Sequence, residues 1–287
     1  MKKRKWPTIL LLSIFIVGLS VLLYPSISSY WNSLTQSEAI VDYEKMLQNI
    51  PKEDYSALYE EAEEYNRRLA ALKYPYLDHS QLENYFDLLN LSENGMMGYV
   101  SIGKIGVELP LYHGTSDAVL STAIGHLQGS SLPVGGEGTH TVVSAHRGLP
   151  SAKLFTDLDR MEIGDTFVVT VLDRVITYQV DQIRIVNPDD LSYLGIEEGK
   201  GYCTLLTCTP YGINTQRLLV RGIQVDQLEQ KNLFVPSDGY QIDTMIVTPI
   251  VALPMLLVLI LIVFLKPAKK KPTVQSVMKA YEAPKNS

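Results

Sequence analysis

Thr166–Val186 reads TFVVTVLDRVITYQVDQIRIV, and the fold class turns on it. Val, Ile, Thr, Tyr and Phe dominate two runs, 166–172 and 175–186, a composition that suits pleated, half-buried strands. Asp173-Arg174 between them predicts a tight hairpin turn. The same texture extends outward in both directions from Gly95 onward: short β-rich runs at 97–102, 105–112, 139–146, 202–208 and 216–226, separated by Gly, Pro and Asp. Such spacing predicts an all-β sandwich or barrel. Two segments, 154–161 and 189–194, read as short helices inserted between strands.

Before Gly95 the chain reads differently. Residues 37–72 are rich in Glu, Ala, Leu and Tyr with apolar positions at helical spacing, among them Leu58, Ala62, Tyr65 and Leu69. They predict two helices broken at Pro51, whose missing N–H cannot continue the ladder. The clusters Glu60-Glu61 and Glu63-Glu64 read as a solvated face, and residues 73–95 as irregular apart from a helical turn over 83–89.

The two ends carry apolar runs with basic flanks. PTILLLSIFIVGLSVLL (7–23) is uncharged and follows Lys2-Lys3-Arg4-Lys5; no alanine-bearing cleavage site follows it, which favours an uncleaved membrane anchor over a signal peptide. MIVTPIVALPMLLVLILIVFL (245–265) reads as a second span, with Pro249 and Pro254 tolerated inside a bilayer. Lys266, Lys269, Lys270 and Lys271 follow it directly. Positive flanks stay inside, so both tails (1–6 and 266–287) are expected in the cytoplasm and 24–244 outside the cell membrane. That exported stretch, closed by a linker over 227–244, holds 30 acidic and 15 basic residues. So acidic a surface argues against nucleic acid as a partner.

Two cysteines exclude a disulfide-stapled mini-domain and a four-thiolate zinc site. Cys203 and Cys208 lie on one predicted strand, where five residues span about 16 Å and an odd separation puts them on opposite faces. They should not pair. Cys208, at the strand end before Thr209-Pro210-Tyr211-Gly212, is the candidate for exposure. A thiol is a useful nucleophile only as thiolate, which needs a nearby base or cation. Arg217, across a short loop on the neighbouring antiparallel strand, offers the cation. The base would come from His79, His113, His126, His140 or His146, of which His146 ends a predicted strand; spacing alone does not decide among them. No metal-ligand cluster is visible, and no cofactor is expected.

TLLTCTPYGINTQRLLVRG (204–222) resembles the TLxTC strand, loop and arginine strand of class C, pilin-polymerising sortases. VVSAHRGLPSAKLFTDLDR (142–160) is similar to their histidine segment, as are LPLYHGT (109–115) and GHLQGSSLPVGG (125–136). The resemblance covers about 96–226 and implies a closed sortase-type barrel of about eight strands, with Cys208 as nucleophile, His146 as catalytic histidine and Arg217 as catalytic arginine. Thr207 would help to orient substrate. The implied reaction is transpeptidation. A membrane-held cysteine transpeptidase cleaves an LPxTG-like signal between Thr and Gly and joins the acyl group to a lysine amine of a pilin subunit in a Gram-positive cell envelope.

Three positions depart from the family's pattern. Ala145 stands where Gly often precedes the histidine, and Gln216 where His often precedes the arginine. The family's lid carries an Asp-Pro-aromatic motif; here the comparable stretch is Leu77-Asp78-His79-Ser80, of which only Asp78 fits. Two other readings stay open: a cell-wall-anchoring sortase that uses a peptidoglycan amine, and a non-catalytic surface domain that binds peptides.

Overall fold

The computed structural model describes residues 6–91 and 94–225, together with Pro254 and Leu256. The linker and second span expected over 227–244 and 245–265, and the tail at 266–287, lie outside the described residues except for those last two, both helical.

Eight strands form a closed barrel in the order β1-β2-β3-β4-β7-β8-β6-β5. They are β1 (Met96–Ile102), β2 (Val107–His113), β3 (Ile124–His126), β4 (Thr139–Ser144), β5 (Thr166–Val171), β6 (Arg174–Val186), β7 (Gly201–Thr209) and β8 (Gln216–Val225). Closure leaves no open edge along the sheet, and inward side chains of every strand meet in one core that includes Val100, Leu111, Val143, Phe167, Tyr178, Leu205 and Val220.

The sequence places seven of the strands correctly within a few residues. It misses β3, three residues long and too short for any alternation to register. The expected strand 139–146 ends at Ser144, because β4 stops pairing there and the chain turns. The hairpin turn sits at Leu172-Asp173 instead of Asp173-Arg174, since Val171 pairs with Arg174. Leu172 takes the positive φ of 51° there, its N–H donating to the Tyr43 hydroxyl at 2.9 Å. The inserted helix over 154–161 shrinks to a single 3-10 turn at Leu158–Arg160, and 189–194 forms only turns. Both segments are too short to repay helix nucleation without an apolar stripe of their own. A four-residue helix, Asp117–Leu120, links β2 to β3.

The N-terminal region is a continuous helix, α1 (Trp6–Gln48), followed by α2 (Lys52–Ala70). Pro51 separates them as expected. The anchor read at 7–23 and the helix read from 37 are thus parts of one element, with Pro25 inside it. α1 is long and apolar enough over Leu12–Gln48 to cross a membrane. Its C-terminal half lies on the barrel: Ile40 and Tyr43 pack against Met96, and the Tyr43 hydroxyl donates to the Met97 carbonyl at 2.8 Å. α2 buries Tyr55, Tyr59, Ala62, Tyr65 and Leu69, one apolar stripe at helical spacing. Its Asn66 side chain bonds both the N–H and the carbonyl of Leu132, at 2.7 and 3.1 Å.

Candidate active site

β7 and β8 are joined by a tight loop, and their antiparallel register sets Cys208 directly opposite Arg217. Side chains of directly opposed residues share a face, with Cβ atoms about 4.5–5.5 Å apart. A sulfur and a guanidinium therefore stand side by side at one end of the barrel. Both are half-buried. Cys203 lies five positions back on the opposite face, inside the core with no exposed surface, and burial raises its thiol pKa far above the ordinary value. The two thiols are unbridged, one inert and one accessible.

His146 reaches the same place by a longer route. β4 runs parallel to β7 in register from Thr139 opposite Gly201 to Ser144 opposite Leu206. Beyond the last ladder pair the two chains stay bonded: the Ala145 N–H donates to the Leu206 carbonyl at 3.2 Å, and the Thr207 hydroxyl donates to the Ala145 carbonyl at 2.8 Å. His146 lies two residues past Ser144, as Cys208 lies two past Leu206, so the parallel register carries both toward the same end of the barrel. The imidazole is half-buried. Thr207, expected to meet substrate, is buried at 1% exposure with its hydroxyl committed to Ala145, on the pleat face away from Cys208. Its visible work is to hold the end of β4 against β7.

Arg147 strengthens that junction, and sequence reasoning passed over it. Its guanidinium is almost fully buried and ion-paired with Asp159, donates to the Thr156 carbonyl at 3.1 Å and to the Thr209 hydroxyl at 3.3 Å, and lies 5.8 Å from the centre of the Tyr211 ring. One side chain thus ties the residue after His146 to the residue after Cys208. Gly148, at a φ of 76°, lies so close to Tyr211 that a Cβ would meet the ring at 3.0 Å. The available signal was an arginine beside the histidine with acids ten and twelve positions on, which reads in sequence as surface charge.

Arg217 donates to the carbonyls of Asn214 and Gln216 at 3.3 and 3.1 Å and, among the described residues, pairs with no carboxylate. An arginine beside a thiol and without an acid to neutralise it retains donors for an oxygen that gains negative charge.

The expected lid segment lies beside this face. Pro75–Asp78 forms one helical turn, α3, and His79–Gln81 a 3-10 turn. Tyr76 seats them: it packs against the cluster formed by Val142, Val186, Leu194 and Leu219, which Leu127 and Leu206 also border, and its hydroxyl donates to the Leu194 carbonyl at 2.9 Å. Leu206 and Leu219 are the next residues along the same faces of β7 and β8 as Cys208 and Arg217. Gly129, at a φ of 95°, permits the approach; a Cβ there would meet the Tyr76 Cα at 2.9 Å. Asp78 and His79 are half-buried and Ser80 is exposed; the His79 ring bonds the Tyr76 carbonyl at 3.1 Å, and Asp78 forms no ion pair among the described residues. The aromatic side chain, not Asp78, makes the contact.

The other histidines support the fold. His126, fully buried, donates from Nε2 to the Ser131 carbonyl at 2.8 Å and accepts the Tyr85 hydroxyl at Nδ1, also at 2.8 Å. His140 bonds the Gly195 carbonyl and the Thr204 hydroxyl, and His113 the Gly95 carbonyl. Burial lowers the pKa of all three, that of His126 to about 4. Between about 4 and the ordinary 6.5, His126 is neutral in the fold and charged in the unfolded chain, so unfolding takes up a proton there. Its stabilisation is complete above pH 6.5 and declines as pH falls toward 4, by about 3 kcal/mol from this residue. Urea midpoints should drop over that interval, with imidazole NMR showing His126 still neutral at pH 5. A His126 resonance that titrates at its ordinary value would contradict this.

Known proteins share the sequence family and the fold. The family model described as the sortase domain matches residues 100–225. The crystal structure of sortase C1 from Streptococcus agalactiae is 50% identical, with a TM-score of 0.63, and the match covers 66% of this chain and 99% of that one. Clostridium perfringens sortase C, solved with the C-terminal cell wall sorting motif, is 43% identical at a TM-score of 0.59, covering 66% and 99%. Sortase D of Bacillus subtilis (strain 168) is 30% identical over 131 residues, 45% of this chain and 63% of that protein, so the match spans less than two thirds of that curated relative. The chain belongs to the sortase family, and its similarity to sortase C structures places it in class C.

Proposed function

We propose that this protein is a membrane-anchored cysteine transpeptidase that joins an LPxTG-like sorting signal to an amine. What supports the reading is the direct pairing of Cys208 with Arg217 across β7 and β8, together with the parallel register of β4 and β7 up to Ser144 opposite Leu206, two residues short of His146 and Cys208. In this reading the Cys208 thiolate attacks the Thr carbonyl carbon of the signal, and Arg217 donates to the oxygen as charge develops on it. His146, protonated, gives its proton to the Gly nitrogen as the C–N bond breaks, which leaves a thioester on Cys208. An amine then attacks the thioester carbonyl, neutral His146 takes its proton, and the sulfur departs. With a pilin lysine as the amine, the product is an isopeptide bond and repeated turnover polymerises subunits.

The apolar first half of α1 supports anchoring, and the apolar run 245–265 supports a second anchor that would keep the catalytic domain outside the cell as part of a multi-pass protein. Holding enzyme and substrates in one membrane raises their effective concentration. The test is product analysis with a labelled LPxTG peptide, offering a pilin peptide bearing the acceptor lysine and a peptidoglycan stem amine together. Conjugation to lysine supports pilin polymerisation; conjugation to the stem amine alone assigns the protein to cell-wall anchoring; no conjugate and no cleavage removes the catalytic reading.

Residues 73–90 act in this proposal as a lid whose latch is Tyr76. Packing this half-buried aromatic ring contributes on the order of 1.5 kcal/mol. Tyr76→Ala should therefore shift the segment toward its open position and raise the rate at which Cys208 reacts with peptide by about tenfold or more. A rate that stays level or falls would show that the segment does not cover the site.

A further inference from the structure

The direction of α1 fixes which end of the barrel meets the lipid. β7 and β4 both run toward the pole that carries Cys208 and His146, while the β5–β6 turn at Leu172-Asp173 lies at the other pole, since Val186 at the far end of β6 pairs with Arg217. α1 touches both. Tyr43, near its C-terminus, bonds the Leu172 N–H at 2.9 Å, at the pole away from the site. Eleven and seven positions earlier, the Asn32 amide donates to the Ser151 carbonyl at 2.8 Å and the Gln36 amide to the Thr122 carbonyl at 2.6 Å. Ser151 is five residues past His146. The helix therefore leaves the barrel from the pole that bears the site.

No spacer separates that departure from the apolar run. Leu23 ends the run, and the nine residues to Asn32 add about 14 Å of helix. A headgroup layer takes up about half of that. The side chains in between include Tyr24, Tyr30 and Trp31, exposed at 57%, 67% and 70%, and such rings settle at membrane interfaces. The loop tips of the same pole also expose apolar groups: Tyr211 and Ile213, at 60% and 67%, project from the β7–β8 loop next to Cys208. Pro25 can bend α1, but so near the barrel that a bend tilts this pole without lifting it far.

We propose that the pole bearing Cys208, His146 and Arg217 rests on the lipid surface, with Tyr211 and Ile213 among the groups that touch it. This rests on the membrane-anchored reading above. The exported part is acidic, so the surface contact runs through aromatic and aliphatic tips and the helix, not through a basic patch.

The full chain, as Cys208→Ala with either Ile213→Cys or Glu137→Cys, is labelled with a small fluorophore and placed in phosphatidylcholine vesicles that contain headgroup spin-labelled lipid. Cys203, with no exposed surface, takes no label. Glu137 precedes β4 and sits at the far pole; the 13 residues of β6 between the poles give about 30 Å of height at a strand tilt of about 40°. Position 213 should be quenched several-fold more strongly than 137, and a label at exposed Thr215 in the same loop should behave like 213. Equal quenching, stronger quenching at 137, or none at either in protein that floats with the vesicles overturns the orientation. Protein that does not float with vesicles overturns the anchoring reading, and this inference with it.

Discussion

Cys208→Ala should lower release of the C-terminal fragment from a labelled LPxTG peptide by about 10³-fold or more and abolish the thioester adduct, with thermal unfolding almost unchanged. The rate loss follows because the substitution removes the atom that forms the bond, and what remains is binding and polarisation alone. Stability should hold because Cys208 sits half-exposed at a strand end, where loss of one sulfur creates no enclosed cavity. Cys203→Ala supplies the contrast. That side chain has no exposed surface and packs in the main core, so its loss should cost stability by about 1 kcal/mol and leave turnover intact. Fragment release by the Cys208→Ala protein at the wild-type rate would remove the nucleophile assignment, and with it the reading of this barrel as an enzyme.

Arg217→Ala carries the second large effect, a fall in kcat/KM of about 10²–10³-fold, the usual consequence of deleting a donor aimed at a developing oxyanion. The register places the guanidinium on the same face as the sulfur, and its described bonds are to two backbone carbonyls. Removing it therefore strands no buried carboxylate, and the folded state should tolerate the change. Arg217→Lys keeps the charge but not the planar fork, so it should recover only part of the loss. The loss should appear in kcat more than in KM, measured with peptide at saturation and below it. An unchanged kcat with a raised KM would move Arg217 from the reacting oxygen to substrate anchoring, and unchanged constants would remove it from the site.

The pairing of Cys208 with Arg217 was legible because it is local. A short loop closes two strands whose composition is plainly β, and antiparallel register then sets who faces whom. The exposure difference between Cys208 and Cys203 was legible for the same reason, since the pleat alternates. Helix α2 could be read from its apolar stripe and from Pro51. Much less visible were β3, whose three residues carry no period, and α1 as a single element, because its apolar and amphipathic halves follow different patterns. The seating of Tyr76 was hidden too. Nothing in YPYLDHS distinguishes the ring that packs on the barrel from the acid beside it until Leu206, Leu219 and Leu194 are assembled into one patch.

By itself the amino-acid order determined a β-domain with a helical extension, an apolar N-terminal run, and a thiol facing a guanidinium across a hairpin. Only the tertiary structure decided that His146 comes to the same end of the barrel. It lies 62 residues from Cys208 in sequence and is carried there by parallel pairing of β4 with β7, braced by Thr207 and Arg147. The physical reason is the reach of the forces involved: alternation and turn chemistry act over a few residues, whereas a parallel pair needs the whole barrel to close before its two strands can meet.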